Sequence, residues 1–154
     1  MTSSVETSQK SLLLDANVLS RLAQIGKADL LPATLPNRCT ISPTIYRELE
    51  AGVNSGVPYL QLVTALVHRG EIRVLDLEDE DQQFIVSMPR KLGRGEAEGI
   101  AICKRLGTVF VTHDRKAANY CERAGVVCLH FRALIEGLHK RGLLTDSEMQ
   151  RSLE

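Results

Sequence analysis

Four carboxylates stand where the sequence changes character. Asp15 closes the apolar run "SLLLD" and Asp114 closes "TVFVTHD", and a helical pattern follows each at once. Glu96 opens "GEAEGIAICKRL", and Glu48 sits in "TIYRELE" beside the apolar Ile45 and Leu49. Each has an ordinary explanation. Asp15 and Asp114 occupy helix N-cap positions, where a carboxylate accepts from the first free N–H groups. Glu96 lies in a first helical turn, where the helix dipole favours negative charge. Glu48 could be a surface charge. Brought to one place, the four would do something else, because clustered carboxylates repel unless a divalent cation neutralises them. An oxygen-only set without a His or Cys cluster suits Mg²⁺ or Mn²⁺ rather than zinc. Such an ion orients water and stabilises the charge that grows on a phosphodiester.

A helical wheel at ~100° per residue separates the two glutamates of "GEAE". Gly99, Ile100, Ile102, Cys103 and Leu106 gather on one side. Glu96 borders that side, while Glu98 falls toward the polar side near Arg105 and reads as a solvated charge. A carboxylate aimed at a core must be paired, protonated or bound to a cation.

The elements that must hold these groups alternate between short apolar strands and amphipathic helices. Strands are expected at "SLLLD", "RCTIS", "EIRVLDL", "TVFVTHD" and "VVCLH". Helices are expected after Asp15, from Pro43, from Pro58 to Gly70, at "EDEDQQFIVSM", over roughly 95–106, from Arg115 to Gly125, and in two terminal segments. Thr145 with Glu148 three residues on forms a capping-box pattern. This alternation predicts an α/β fold, a mainly parallel sheet covered on both faces. In such sheets sites form beyond the carboxyl ends of strands, where the strand order reverses. Asp15 and Asp114 are both placed for that.

Length and composition bound the rest. The 154 residues predict a flexible lead-in over 1–10 and a single domain over 11–154. Formal net charge is zero, so any field for nucleic acid must come from local patches. Such groups flank the acids: Arg90, Lys91 and Arg94 on one side, and Arg115 and Lys116 on the other, the latter pair better placed for phosphate. His113 could assist proton transfer near neutral pH. The four cysteines form no C-x-x-C pair, and no signal-like or membrane-length apolar run is present. A cytoplasmic protein with reduced, mostly buried thiols is expected.

At these residues the sequence resembles the PIN domain, a family of metal-dependent ribonucleases that includes many toxins of toxin–antitoxin pairs. The matching pieces are "LLLDANVLS", "TIYRELE", "GRGEAEGIAIC" and "VFVTHDRKA", in the family's order. The third acid is Glu96 where many members have Asp. The resemblance implies a three-layer α/β/α sandwich with a central parallel sheet, and one or two Mg²⁺ or Mn²⁺ ions held by Asp15, Glu48, Glu96 and Asp114. It implies that Asn17 and Thr112 help orient ligands and waters. It implies hydrolysis of RNA that leaves a 5′-phosphate and a 3′-hydroxyl, a cognate antitoxin partner, and a homodimer whose surface the helices around 56–68 and 131–144 could supply. Two other classes compete: a non-catalytic module that keeps the fold and binds RNA or protein, and a different phosphate-handling enzyme. The second would need a feature such as a Gly-rich phosphate loop, and no G-x-x-x-x-G-K-[ST] is present.

Overall fold

The computed structural model describes residues 10–154, so nearly all of the lead-in expected over 1–10 lies outside the described residues. Five strands form one sheet: β1 (Leu12–Leu14), β2 (Cys39–Ile41), β3 (Arg73–Val74), β4 (Val109–Thr112) and β5 (Cys128–His130). Their order is β3-β2-β1-β4-β5, and every pairing is parallel. Nine helices accompany them among the described residues: α1 (Ala16–Gln24), α2 (Leu30–Thr34), α3 (Pro43–Asn54), α4 (Leu60–His68), α5 (Asp79–Val86), α6 (Arg94–Leu106), α7 (Arg115–Ala124), α8 (Phe131–Lys140) and α9 (Asp146–Leu153). The result is a three-layer α/β/α sandwich, as the resemblance implied, around the parallel sheet that the alternation predicted.

All residues of β1 and β4 are buried, although successive side chains point to opposite faces. Both faces of the sheet centre are therefore covered, which parallel strands require. The core is built on this centre, with Leu13, Leu14, Phe110, Ile100, Ile102 and Phe131 sealed from solvent. Burial of such side chains stabilises by roughly 1.5–3 kcal/mol each, enough to hold charged groups at the rim.

The chain runs from β1 outward through β2 to β3, then crosses to the other side of β1 to lay down β4 and β5. The strand order thus reverses between β1 and β4. Their carboxyl ends carry Asp15 and Asp114.

Helix α6 presses closely onto this centre. A Cβ at Gly99 would meet Phe110 Cε1 at 2.6 Å and Leu13 Cδ2 at 2.9 Å. Only a glycine allows that approach, which brings the first turn of α6, with Glu96, to the strand ends.

Two elements differ from expectation. β3 is confined to Arg73–Val74 within the longer run "EIRVLDL". It is an edge strand bonded on one side only, and both its residues are exposed, so little holds a longer ladder together. The short helix α2 is an additional element, and it accommodates Pro32 inside its five residues. The Thr145–Glu148 capping box is present: Thr145 Oγ1 accepts from Glu148 N at 3.1 Å, and Glu148 Oε1 accepts from Thr145 N at 2.9 Å.

All four cysteines are free thiols, three of them buried. Burial pushes Cys39 up to about 11 and Cys103 up to about 12, leaving both protonated. No helix among the described residues is long and apolar enough to cross a membrane. The apolar faces of α4 and α8 are spent mostly inside: Leu60, Val63 and Leu66, and Phe131, Leu134, Ile135 and Leu138, are buried. Leu62 is the exposed large apolar residue on these two helices.

Candidate functional site

Asp15 and Asp114 serve both of the readings open to them. The Asp15 N–H donates to Val111 O at 3.0 Å, extending the β1–β4 ladder by one residue. Asp15 Oδ1 then caps α1 by accepting from Ala16 N at 2.8 Å. Its Oδ2 accepts from the Thr112 hydroxyl at 3.0 Å. Asp114 caps α7 in the same manner, with Oδ1 accepting from Lys116 N at 2.9 Å. Its own N–H donates to Thr112 Oγ1 at 3.0 Å. Capping takes one oxygen of each carboxylate, and in Asp15 the Thr112 hydroxyl takes the other.

Glu96 also combines two roles. Its Oε1 accepts from Gly93 N at 3.0 Å, tying the start of α6. Its carboxyl group also lies close to that of Asp114, near enough for each to shift the other. Burial, this closeness, and repulsion from Asp15 and Asp114 raise Glu96 to about 7. Asp114 is held below the usual carboxylate range, first by Glu96 and further by Lys116. The two carboxyl groups thus act on each other in opposite directions, Glu96 being the one whose charged form is disfavoured.

Asp15 is 7% exposed. Burial pushes its carboxyl up, the charge of Asp114 adds to this, and the Thr112 and Ala16 hydrogen bonds oppose it. Glu48 arrives from α3 with an exposed side chain whose carboxylate lies against α6. Desolvation raises its pKa, and the charges of Asp15 and Glu98 raise it further. A Cβ at Gly95 would stand 2.5 Å from Glu48 Oε1, so the bare backbone there makes room for this carboxylate.

The fold thus brings Asp15, Glu96 and Asp114 within electrostatic reach of one another, with Glu48 in reach of Asp15. No group of three or more His, Cys, Asp or Glu side chains among the described residues stands arranged to hold a metal ion. The donor chemistry nonetheless fits a hard cation. All four groups are carboxylates, and three of them have their charged form disfavoured, a penalty that a divalent cation relieves.

The flanking groups divide. Thr112 bonds both strand-end aspartates. Asn17 is exposed on the first turn of α1 and faces a groove with Arg21, Gln24 and Arg151, with no bond to the acids. Arg115 and Lys116 are exposed, and Lys116 shares a groove of about 360 Å³ with Lys91 and Arg123. Arg94 is committed elsewhere, to Glu98 and Gln82. His113 packs against His130 and Phe131, with ring centroids 5.5 and 5.2 Å away. Burial, with Arg21, His130 and Arg132 nearby, lowers its pKa, so it stays neutral at neutral pH.

The expectation for Glu98 is overturned. It is 1% exposed rather than solvated. Its Oε1 accepts from Thr44 N at 2.9 Å, and its Oε2 accepts from Thr44 Oγ1 at 2.7 Å and Arg94 Nε at 2.9 Å. These donors hold its pKa down against burial. Arg105, its expected neighbour on the polar side, instead grips the buried Asp81 at the start of α5. The wheel assumed one buried face, whereas α6 packs against the sheet and also against α3, α5 and α7.

Comparison with known proteins agrees with this architecture. No match is found among curated protein sequences. Among solved structures, the crystal structure of VapBC2 from Rickettsia felis bound to a DNA fragment from their promoter aligns with a TM-score of 0.55 at 14% identity. The alignment covers 77% of this chain and 97% of that one. The family model DUF3368, described as a PIN domain, matches residues 11–154. Since that match takes in every strand and helix described above, the chain belongs to the PIN domain family.

Proposed function

We propose that this chain is a divalent-cation-dependent endoribonuclease, with Asp15, Glu48, Glu96 and Asp114 holding one or two Mg²⁺ or Mn²⁺ ions. The observation that supports this is the approach of Asp15, Glu96 and Asp114 to one another beyond the carboxyl ends of β1 and β4, where the strand order reverses, with Glu48 near Asp15. A bound cation there would lower the pKa of water and stabilise charge on a phosphodiester.

The chain's own groups would divide the remaining work. Thr112 would hold Asp15 and the backbone of Asp114 in register, and Asn17 would face incoming ligand from the first turn of α1. Glu96, raised to about 7, would give up its proton when a cation arrives. Lys116, and more weakly Arg115, would contact backbone phosphates. The products would carry a 5′-phosphate and a 3′-hydroxyl.

The family's toxins, and the likeness to the promoter-bound VapBC2 complex, support a further reading of the chain as a toxin restrained by a cognate antitoxin in the cytoplasm. A homodimer belongs to the same reading.

The test is incubation of purified protein with RNA in Mn²⁺, in Mg²⁺ and in EDTA, beside Asp15→Asn. Metal-dependent fragments with 5′-phosphate ends, absent from the variant, are expected. Cleavage that persists in EDTA or in Asp15→Asn would remove the carboxylates from the reaction.

A further inference from the structure

Consecutive turns of α3 touch consecutive turns of α6. Thr44, in the first turn of α3, gives both its N–H and its hydroxyl to Glu98, at 2.9 and 2.7 Å. One turn further along α3, Glu48 lies over Gly95, one turn back along α6 from Glu98. Ile45 fills the space between, 3.0 Å from where a Gly95 Cβ would stand. The Thr44 and Gly95 contacts therefore fix both the spacing and the rotation of the two helices.

Glu98 is sealed from solvent, and Thr44 bonds it to α3 through both N–H and hydroxyl. Arg94, half-exposed, steadies it from the outer side and reaches on to Gln82 of α5. A buried carboxylate with three donors is held in one orientation, since each lost bond leaves a charge or a donor unpaired. Glu96, two residues before Glu98, shares its rigid helix.

We infer that Glu98 is a positioning residue: by gripping the first turn of α3 through Thr44, it sets Glu48 against Gly95 and within reach of Asp15. This rests on the cation-binding reading proposed above. Glu98 itself contacts no cation. It acts on the distance between the carboxylate of α3 and that of α6. Residues that orient metal-binding carboxylates from behind change affinity by about 10–100-fold when replaced.

The experiment is a Mn²⁺ titration of the intact chain followed by electron paramagnetic resonance, with urea unfolding measured in parallel. Thr44→Val leaves every charge in place and removes the hydroxyl half of the grip. Glu98→Gln removes the charge. Both are expected to weaken Mn²⁺ binding about tenfold or more. In a Glu48→Gln background the same substitutions are expected to add nothing, because the residue they position is already gone. A Thr44→Val protein that loses stability but binds Mn²⁺ like wild type overturns the inference. So does an undiminished loss in the Glu48→Gln background. Wild-type protein that binds no Mn²⁺ overturns the cation reading itself, and the positioning role falls with it. If Glu98→Gln does not fold, Thr44→Val decides alone.

Discussion

The Thr112 hydroxyl donates to Asp15 Oδ2 at 3.0 Å while its oxygen accepts the Asp114 N–H at 3.0 Å. One side chain at the end of β4 thus fixes the carboxylate that follows β1 and the backbone that carries a second carboxylate. Thr112 is fully buried, so neither partner can turn to water instead. Thr112→Val keeps the shape and removes both bonds. It is expected to destabilise the fold by ~1–3 kcal/mol, the cost of leaving buried polar groups unsatisfied. Thr112→Ser should restore most of the loss. Urea unfolding measures both, and a Val variant as stable as wild type would show that the bridge contributes nothing.

The pH dependence of stability follows from Glu96, raised from 4.5 to about 7. An acid whose folded pKa lies above its unfolded value binds its proton more tightly in the fold. Between those two values the folded chain holds more protons, so stability falls as pH rises through the window. The depressed pKa of Asp114 acts below its ordinary value of 3.8, outside that window. Metal-free protein is expected to melt at progressively lower temperature from about pH 5 to about pH 7, and Glu96→Gln should flatten the decline. His113, lowered from 6.5, acts in the opposite sense, so the test is the difference between the two proteins: a Glu96→Gln profile with the same slope as wild type would refute the assignment. Since cation and proton compete for Glu96, Mn²⁺ should also bind more weakly at the acid end.

Gly99→Ala tests whether the close seat of α6 matters. The new methyl would press on Phe110 and Leu13 in the core. Overpacking of this kind costs ~1–3 kcal/mol, against ~1 kcal/mol gained from the better helix former. Slight to moderate net destabilisation is expected in urea unfolding, with weaker Mn²⁺ binding because the first turn of α6 moves away from the strand ends. Unchanged Mn²⁺ affinity would separate the packing of α6 from the site.

Lys116, beside Asp114 and sharing a groove with Lys91 and Arg123, should act on RNA through charge alone. Each phosphate contact on a single strand contributes a slope of about −0.7 in log affinity against log salt. Lys116→Gln is expected to reduce the slope by about that amount in EDTA, read by fluorescence anisotropy. An unaltered slope would take Lys116 out of the RNA path.

Much of the sheet and its acids was legible in the sequence, because local features specify them. Asp15 and Asp114 each stand between a short apolar run and a helical pattern, which places them at strand ends wherever the strands pair. Glu96 was legible as a border residue, and it is half-buried. Glu98 was not, because its burial depends on Thr44, a partner far away in the chain that no helical wheel can show. Nor could the sequence show that Asp114 helps raise Glu96, since that depends on how closely α6 seats on the sheet. Asn17 belonged to a matching motif, yet the structure gives it no bond to the acids and faces it toward Arg21 and Arg151 instead.

Manganese binding tests the central claim most directly. Purified chain titrated with Mn²⁺ is expected to quench the free-ion paramagnetic signal saturably, and its melting temperature should rise because the ion binds the folded state. Asp15→Asn should fold, leave the signal near that of free ion, and show little rise. A wild-type chain that neither quenches the signal nor gains melting temperature at millimolar Mn²⁺ would leave the four carboxylates as helix caps and surface charges, and would contradict the cation site.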